Sequence, residues 1–323
     1  MTKTCVITVN YRGASDTAAC VKSLLAATVP VEIVVVDTTP DDPDLEAALR
    51  FAPGLTLIRA SDNVGFGCGN NLGIDWAFAH TSCEFIFLFN NDAIVFPATI
   101  ERLEAAMAAN LEVGIMTPRI AYLDEPEKLW YGGGEVDWWR SGAVAPGFNQ
   151  SAQAQLAMTE RDVTFASGCA LFVRRSVLKE LRGFDPRFFM YEEDVELCLR
   201  ASESGIRIRY IPHSLVLHRV QGSSRDSSNE RRDFWSAHGA NLTFYAYHVI
   251  RNRLLNADLH AHGKQRIIVA VSFPLFLIRR AIPLLLRGRV DAVLAMFRGI
   301  AGFWRTRPSR NVARSSSAFG QDV

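Results

Sequence analysis

The 323-residue chain contains 49% hydrophobic and 21% charged residues. This composition excludes a disordered linker, a collagen-like fibre and a long coiled coil, and the length predicts about two domain-sized units or one α/β domain with additions. The net charge is +1 at pH 7, but the charges are unevenly distributed along the chain. Residues 251–323 contain 13 Lys and Arg and 3 Asp and Glu, so this region is basic and residues 1–250 are acidic.

Six scattered cysteines form no Cys-x-x-Cys pair, which argues against a disulfide framework and a cysteine-ligated zinc site. The apolar stretch after Lys3 is too short for the core of a signal peptide, so we expect no export and a reducing cytosol. The longest strongly apolar run, Ile267–Ile278, has 12 residues. A spanning helix needs about 20, so we expect no complete membrane crossing.

Four short β-rich apolar runs alternate with helical patterns in the first 120 residues. The runs contain almost no polar residue, which predicts strands buried on both faces of a parallel sheet. The helical patterns between them make a βαβ series and hence a doubly wound α/β fold. The predicted strands are Cys5–Val9, Glu32–Asp37, Leu55–Ala60 and Phe85–Asn90.

The second half of the chain is less regular. Residues 120–165 predict loops or a small hairpin over the sheet, and strand character returns at Ala166–Val173. A helix is predicted at Val195–Ser204, followed by a strand pair or one extended run over 206–218. From about residue 230 onward the pattern is helical.

Polar residues follow each of the four predicted strands. Asn10 and Tyr11 follow the first, Asp37 ends the second, the glycine-rich segment Asn63–Asn71 follows the third, and Asn90–Asp92 closes the fourth. Ligands bind at the carboxyl ends of strands in open parallel sheets. The sequence therefore predicts one crevice lined by amides, carboxylates and glycines.

The first residues of this crevice have nucleotide-binding chemistry. Asp37 can hydrogen-bond a base or a ribose, although a turn aspartate is an equally common interpretation. Gly65, Gly67 and Gly69 lack the Gly-x-Gly-x-x-Gly spacing, which argues against a nicotinamide site. A glycine-rich turn still lets the backbone approach a ligand closely, and Asn70 adds a side-chain amide; an ordinary loop and helix start is the alternative.

Asp92 and His218 together predict a divalent-cation site. Asp92 follows a strand, where a carboxylate can hold a cation that bridges two phosphates. Alone, such an aspartate is more often a helix cap or a turn residue. His218 is polar within an apolar run and can supply a nitrogen ligand; a core histidine is the alternative.

Three consecutive acids, Glu192–Asp194, follow an aromatic run and precede a predicted helix. A carboxylate beside a metal-diphosphate site stays ionised and can accept the proton of an attacking hydroxyl, which makes Asp194 a candidate general base. In the alternative interpretation Asp194 caps the helix, and the helix dipole favours Glu192 and Glu193.

In their order along the chain, these segments resemble the bacterial family 2 inverting glycosyltransferases, most closely their rhamnosyltransferase-like branch. One departure is Asn90, which stands at the first place of the wider family's Asp-x-Asp, although Asn-Asn-Asp is familiar in that branch. The resemblance covers about residues 4–225. The matching segments are Val9-Asn10-Tyr11, Val34-Val35-Val36-Asp37, Asn63-Val64-Gly65-Phe66-Gly67 with Gly69-Asn70-Asn71, Asn90-Asn91-Asp92, Ser167-Gly168-Cys169-Ala170, Gly183-Phe184-Asp185, Glu193-Asp194, and His218 with Ser223.

The resemblance implies a GT-A catalytic domain over residues 1–225, with a Rossmann-like, mostly parallel sheet and helices on both faces. Its nucleotide-sugar-binding half is expected over residues 1–120 and its acceptor-binding half over 121–225. Residues 226–323 are expected to form a helical, basic extension.

The resemblance also implies the site roles. Asp194 is the expected catalytic base, and Asp92 and His218 are expected to hold Mg²⁺ or Mn²⁺ at the donor diphosphate. Ser167, Gly168 and Glu193 are expected on the acceptor side. The expected donor-binding residues are Asn10, Tyr11, Asp37, Asn63, Gly65, Phe66, Asn70, Asn90 and Asn91.

The implied reaction is a single displacement with inversion, in which a nucleotide-sugar donor gives its sugar to a hydroxyl of a glycan or polyprenyl-diphosphate-linked acceptor. The family suggests L-rhamnose from a deoxythymidine-diphosphate donor, for cell-surface polysaccharide synthesis. The alternatives are another nucleotide-sugar enzyme, such as an epimerase, and a non-catalytic nucleotide- or carbohydrate-binding protein. The missing dinucleotide fingerprint argues against the first, and the retained Asp92, Asp194 and His218 argue against the second.

The basic, apolar C-terminal region contains no recognition module for nucleic acid, so we expect no nucleic-acid partner. Apolar segments flanked by arginines favour helices that lie on an anionic membrane surface, at the inner face of the cytoplasmic membrane. A helical pair packed on the catalytic domain, or an oligomer contact, is the alternative.

Overall fold

The computed structural model describes residues 2–39, 43–220, 235 and 241–307. Ser223 lies outside these residues. The strands are β1 Thr4–Asn10, β2 Val31–Asp37, β3 Thr56–Arg59, β4 Phe85–Phe89, β5 Ala93–Val95, β6 Val113–Tyr122, β7 Leu129–Tyr131, β8 Glu135–Asp137, β9 Gly142–Val144, β10 Arg161–Val163, β11 Ala170–Arg174 and β12 Arg207–His218. The helices are α1 Ala14–Leu25, α2 Pro43–Leu49, α3 Gly65–His80, α4 Thr99–Ala109, α5 Arg175–Leu181, α6 Glu193–Glu203, α7 Leu242–His260, α8 Lys264–Leu286 and α9 Val290–Thr306.

The first four predicted strands form a parallel unit in the order β3-β2-β1-β4. Each observed boundary lies within one residue of its prediction. All five residues of β4 are buried, as their uninterrupted apolar sequence predicts. This unit carries the four polar strand ends to one edge of the sheet.

The antiparallel strand β11 joins this unit to the second half of the sheet, where β6 and β12 are parallel to each other. The complete order is β10-β12-β6-β11-β4-β1-β2-β3, and β5 and β7 pair with β12 and β6. Residues 207–218 form one long strand with a register shift between Ile211 and Leu215, and not a strand pair. In the irregular region β8 and β9 form the predicted small hairpin. Strands β7 and β10 of the same region join the main sheet instead, which the prediction of loops did not include.

The helices cover both faces of this mixed, largely parallel sheet, and one large apolar core joins them to it. Strands β1, β2, β4, β6 and β11 supply 20 of its 49 buried residues, and α1, α3 and α4 pack against them. Such continuous burial on both sides holds the strand ends in fixed positions, because interiors are close-packed.

Helices α7, α8 and α9 confirm the predicted helical C-terminal region within the described residues. They share a second, smaller core that includes Val249, Phe273 and Met296. By length and composition, α8 is the one helix in the described ranges that could cross a membrane; it continues through Arg279 and Arg280, beyond the 12-residue apolar run. The expected domain boundary near residue 225 stays a prediction.

Candidate active site

A cavity of about 480 Å³ opens where strands β1, β4 and β12 end. Twelve of the fifteen predicted site residues line it, from both the nucleotide-side and the acceptor-side segments. These twelve are Tyr11, Asn63, Gly65, Phe66, Asn90, Asn91, Asp92, Ser167, Gly168, Glu193, Asp194 and His218.

The other three predicted residues, Asn10, Asp37 and Asn70, are buried beneath the cavity wall, each at most 2% exposed. Asn10 Nδ2 donates to Asp37 Oδ1 at 2.9 Å, which ties the ends of β1 and β2 together. Thr17 Oγ1 donates to Asn10 Oδ1 at 2.8 Å, and Asn70 Nδ2 donates to the carbonyl of Phe66 at 2.9 Å. In this structure their hydrogen bonds support the wall, and their contact with a donor stays a prediction.

Asp92 and His218 lie side by side, although 126 residues separate them in the chain. Antiparallel pairing of Ala93 with His218 brings them together, and Asp92 Oδ1 lies 3.0 Å from His218 Nε2. His218 is 5% exposed, and its Nδ1 is buried without a hydrogen-bond partner among the described residues. Burial lowers the pKa of His218, but Cys169 and Asp92 outweigh it and raise that pKa well above its usual range.

The pair fits a divalent cation that is shared with a phosphorylated ligand. Within the described ranges no group of three or more His, Cys, Asp or Glu side chains could hold a metal alone. Mg²⁺ is commonly bound by one or two carboxylates together with substrate phosphates and water, so a complete protein cage is not required. The oxygen of Asp92 and the imidazole of His218 would supply the protein ligands, and His218 would release its proton when the cation binds.

Asp194 lies in the first turn of α6 and faces the cavity. The backbone N–H of Gly168 donates to its Oδ2 at 2.8 Å, and that of Val195 donates to Oδ1 at 2.9 Å. Burial raises the pKa of Asp194 to about 6 against the lowering effect of the Gly168 amide, and the charge of Glu192 raises it further. The N-cap of α6 is Glu192, so the capping interpretation of Asp194 is wrong.

The neighbouring Glu193 is 5% exposed and also lines the cavity. Burial and the charge of Asp194 raise the pKa of Glu193 well above its usual range. A protonated Glu193 beside an ionised Asp194 avoids two adjacent buried charges.

The loop before Asp194 has an unusual backbone, because Tyr191 and Glu192 have φ angles of 66° and 68°. Such left-handed conformations at non-glycine residues cost about 1–3 kcal/mol each and need support from their surroundings. Asn252 of α7 supplies it, since its Nδ2 donates to the carbonyls of Met190 at 2.9 Å and Tyr191 at 2.7 Å.

Two further α7 side chains contact the same loop. Asn256 Nδ2 donates to the carbonyl of Glu192 at 3.2 Å, and Arg253 Nε donates to the Glu192 carboxylate at 2.8 Å. The helix beyond the expected catalytic domain therefore holds the loop that carries the proposed base. The sequence pattern did not predict this role; the signals were the polar residues Arg251-Asn252-Arg253 and Asn256 within the helical pattern.

Aromatic side chains form much of the remaining cavity wall. The sequence did not predict that these residues belong to the site. The ring of Trp130 meets that of His218 edge-on, with centroids 4.6 Å apart. Tyr191 and Tyr245 meet in the same way at 4.9 Å, on the side formed by α7. Aromatic faces of this kind suit the apolar faces of sugar rings or a nucleobase.

Gly65 begins α3 with a φ of +80°, and a Cβ there would lie 2.1 Å from the carbonyl oxygen of Phe189. We expect Gly65→Ala to lower the free energy of unfolding by about 1–3 kcal/mol, because both the backbone conformation and the contact become strained. Gly54→Ala is the matched control, since no described atom lies within 4 Å of a Cβ there. Urea unfolding of both variants checks this; equal midpoints would contradict it.

Comparison with known proteins identifies the family. Residues 3–251 match the family described as Glycosyltransferase like family 2. The chain belongs to this family. It is therefore a glycosyltransferase, and the predicted family resemblance is confirmed.

Two relatives illustrate the sequence similarity. The N-acetylglucosaminyl-diphospho-decaprenol L-rhamnosyltransferase of Mycobacterium tuberculosis is 27% identical over 226 residues, which cover 64% of this chain and 72% of the relative. The rhamnosyltransferase WbbL of Escherichia coli is 38% identical over 63 residues, which cover 20% of this chain and 24% of WbbL.

Solved structures confirm the fold of this glycosyltransferase. Residues 1–349 of S. aureus TarS, in complex with UDP-GlcNAc, align with a TM-score of 0.58 at 16% identity, covering 95% of this chain and 82% of that one. The mannosyltransferase PcManGT from Pyrobaculum calidifontis, in complex with GDP-Man and Mn²⁺, gives a TM-score of 0.56 at 14% identity, covering 95% and 76%. The predicted GT-A fold is confirmed.

Proposed function

We propose that this glycosyltransferase is a cation-dependent inverting enzyme whose catalytic base is Asp194. The observation that carries the proposal is the placement of Asp194 and the Asp92–His218 pair on the wall of one cavity. A base can accept the proton of the attacking hydroxyl, and a cation can stabilise the departing diphosphate, so together they suit a direct displacement from a sugar diphosphate.

In this reaction Asp194 accepts the proton of the acceptor hydroxyl. The backbone N–H of Gly168 donates to Oδ2 at 2.8 Å, which holds the carboxylate in place. The acceptor oxygen forms a bond to the anomeric carbon while the bond to the nucleoside diphosphate breaks, so the configuration inverts without a covalent intermediate. Alignment of the two reactants supplies much of the rate.

Asp92 and His218 would hold Mg²⁺ or Mn²⁺ at the donor diphosphate. The cation would neutralise the charge that develops on the departing diphosphate. Asn90 and Asn91 lie on the same wall, and Asn91 Nδ2 donates to Thr17 Oγ1 at 3.0 Å, which fixes the turn that carries Asp92.

We assign the donor as a deoxythymidine-diphosphate sugar carrying L-rhamnose and the acceptor as a glycan on a polyprenyl diphosphate. The names of two relatives support rhamnose as the sugar, and one of them, the decaprenol-linked L-rhamnosyltransferase, supports a lipid-linked acceptor. The deoxythymidine-diphosphate group follows from the family resemblance alone. With such an acceptor, we assign the enzyme to the cytoplasmic face of the membrane and to cell-surface polysaccharide synthesis.

A screen of nucleotide sugars tests this assignment. Purified protein is incubated with each donor and either Mg²⁺ or Mn²⁺, and release of the nucleoside diphosphate is measured with and without a polyprenyl-diphosphate-linked glycan. We expect deoxythymidine-diphosphate rhamnose to give the fastest release and the acceptor to accelerate it. A clear preference for another donor would overturn the sugar assignment, and binding without turnover of any donor would favour a non-catalytic protein.

A further inference from the structure

The outer sides of α8 and α9 carry a row of large apolar side chains that face away from the core. From Ile267 to Leu285 on α8 they recur every three or four residues, which places them along one side of the helix. All are between 50% and 83% exposed. This apolar face comprises Ile267, Val271, Leu275, Ile278, Ile282, Leu285 and Leu286 of α8 and Val290, Leu294, Phe297 and Trp304 of α9.

The opposite sides of both helices are packed on the protein. Phe273 and Leu284 of α8 and Met296 of α9 are buried in the second core. Ser272 Oγ also donates to the carbonyl of Trp138 at 2.8 Å, which attaches α8 to the segment before β9. Crossing a bilayer would break these contacts, so the packing favours a helix that lies along a surface.

Residues 264–307 are strongly basic, with nine Lys and Arg and one acidic residue, Asp291. Arg298 and Arg305 are exposed and follow Phe297 and Trp304 directly, so positive charge borders the apolar face on α9. Arg279 is exposed next to Ile278 on α8. An apolar face bordered by arginines is complementary to the headgroups and acyl boundary of an anionic bilayer.

We propose that the apolar face of α8 and α9 docks onto the surface of an anionic phospholipid bilayer. Its aliphatic side chains would enter the boundary between headgroups and acyl chains, Trp304 would lie at the interface that tryptophan prefers, and the arginines would contact lipid phosphates. A second copy of the chain fits less well, because a two-fold contact would place the same basic residues against each other.

Helix α7 lies between the helices of the docking face and the active-site cavity. Tyr245 and Val249 of α7 line the cavity, and Val249 also belongs to the core that α8 and α9 share. Docking would therefore hold the cavity near the bilayer, where a lipid-linked acceptor is presented; this consequence rests on the proposed function, whereas docking itself does not.

Flotation of the full-length protein with vesicles tests the proposal. One set of vesicles is phosphatidylcholine alone, and the other also contains phosphatidylglycerol. Two variants probe the two parts of the surface: Leu275→Asp with Phe297→Asp removes apolar contacts, and Arg279→Gln with Arg298→Gln and Arg305→Gln removes charge. Leu111→Asp is the matched control, because Leu111 is 80% exposed and lies between α4 and β6, outside the docking face.

We expect the wild type and Leu111→Asp to float with anionic vesicles at low salt and to bind neutral vesicles much more weakly. Each removed arginine should lower partitioning about fivefold, so the triple variant should lose on the order of 100-fold, with nucleotide binding retained. Absence of wild-type flotation at low salt would overturn the proposal. The proposal would also be overturned if the wild type formed a dimer that these substitutions dissociate and vesicle binding stayed unchanged. Donor turnover is measured separately, so failure of the proposed activity leaves this result standing.

Discussion

Asp194→Asn is expected to lower kcat by about 10²–10⁴-fold and to leave the affinity for the donor nearly unchanged. The variant keeps the shape of the side chain but cannot accept a proton, and loss of a general base typically costs this much. Steady-state kinetics with varied donor, together with titration of the nucleoside diphosphate, separate the two effects. Asp75→Asn is the control, since Asp75 is exposed on α3 and lies outside the cavity.

The pH profile of the wild type provides a second measurement on the same group. Because burial raises the pKa of Asp194 to about 6, the base is ionised above that pH, and kcat should fall as the pH drops below about 6. A profile that is flat from pH 5 to 8 would contradict the assignment, as would an Asp194→Asn variant that retains wild-type kcat.

The same substitution should not weaken the fold. Between the ordinary aspartate pKa of 3.8 and the folded-state value of about 6, the folded protein binds more protons than the unfolded chain, so its free energy of unfolding falls as the pH rises. The introduced amide carries no charge, which removes a cost of up to about 3 kcal/mol at pH 7, and a lost hydrogen bond from the backbone offsets about 1 kcal/mol of it. Urea unfolding should therefore show equal or greater stability, whereas a structural aspartate would show a clear loss.

Removal of divalent cations is expected to abolish turnover, and Mg²⁺ or Mn²⁺ should restore it. Without the cation, the leaving diphosphate keeps its charge beside Asp92, and the lost stabilisation amounts to several kcal/mol. Asp92→Asn should reduce kcat by about 10²–10³-fold, because one neutral amide replaces the only carboxylate of the pair. Full turnover after chelation would contradict the cation requirement.

The binding of nucleoside diphosphate distinguishes a cation site from a structural pair. Calorimetric titration should show tighter binding with Mn²⁺ than with a chelator in the wild type, and no such difference in Asp92→Asn. In Asp75→Asn the difference should persist. If Asp92→Asn instead unfolds, His218→Asn provides the second variant, since it keeps a polar group at the same position.

The strand ends of the first half were predictable because their signals are local. Five or six apolar residues followed by Asn10 or Asn90 mark both a buried strand and its end, and the parallel arrangement then brings those ends together. The proximity of Asp92 and His218 follows less directly. It depends on the pairing of β5 with β12, and β5 has only three residues.

Strand β6 was not predicted, because its sequence lacks the uninterrupted apolar run that marks the first four strands. Thr117, Pro118 and Arg119 interrupt the apolar pattern, yet all ten residues of β6 are buried. Pro118 pairs with Ile211 beside the register shift between β6 and β12, a place where a sheet tolerates proline. Arg119 finds its partner 33 residues away, at the carbonyl of Ala152, and local periodicity contains no information about such a partner.

The hydrogen bonds from α7 to the loop before Asp194 also affect when activity can arise during synthesis. The ribosome synthesises the sheet, Asp92, Asp194 and His218 before it adds Asn252. The nascent chain therefore contains the proposed reactive groups before it contains the side chain that supports the strained loop before Asp194. Proteins are made from the N-terminus at about 5–20 residues per second, so this interval lasts seconds. The support for the loop before Asp194 is therefore synthesised after every other part of the candidate site described above.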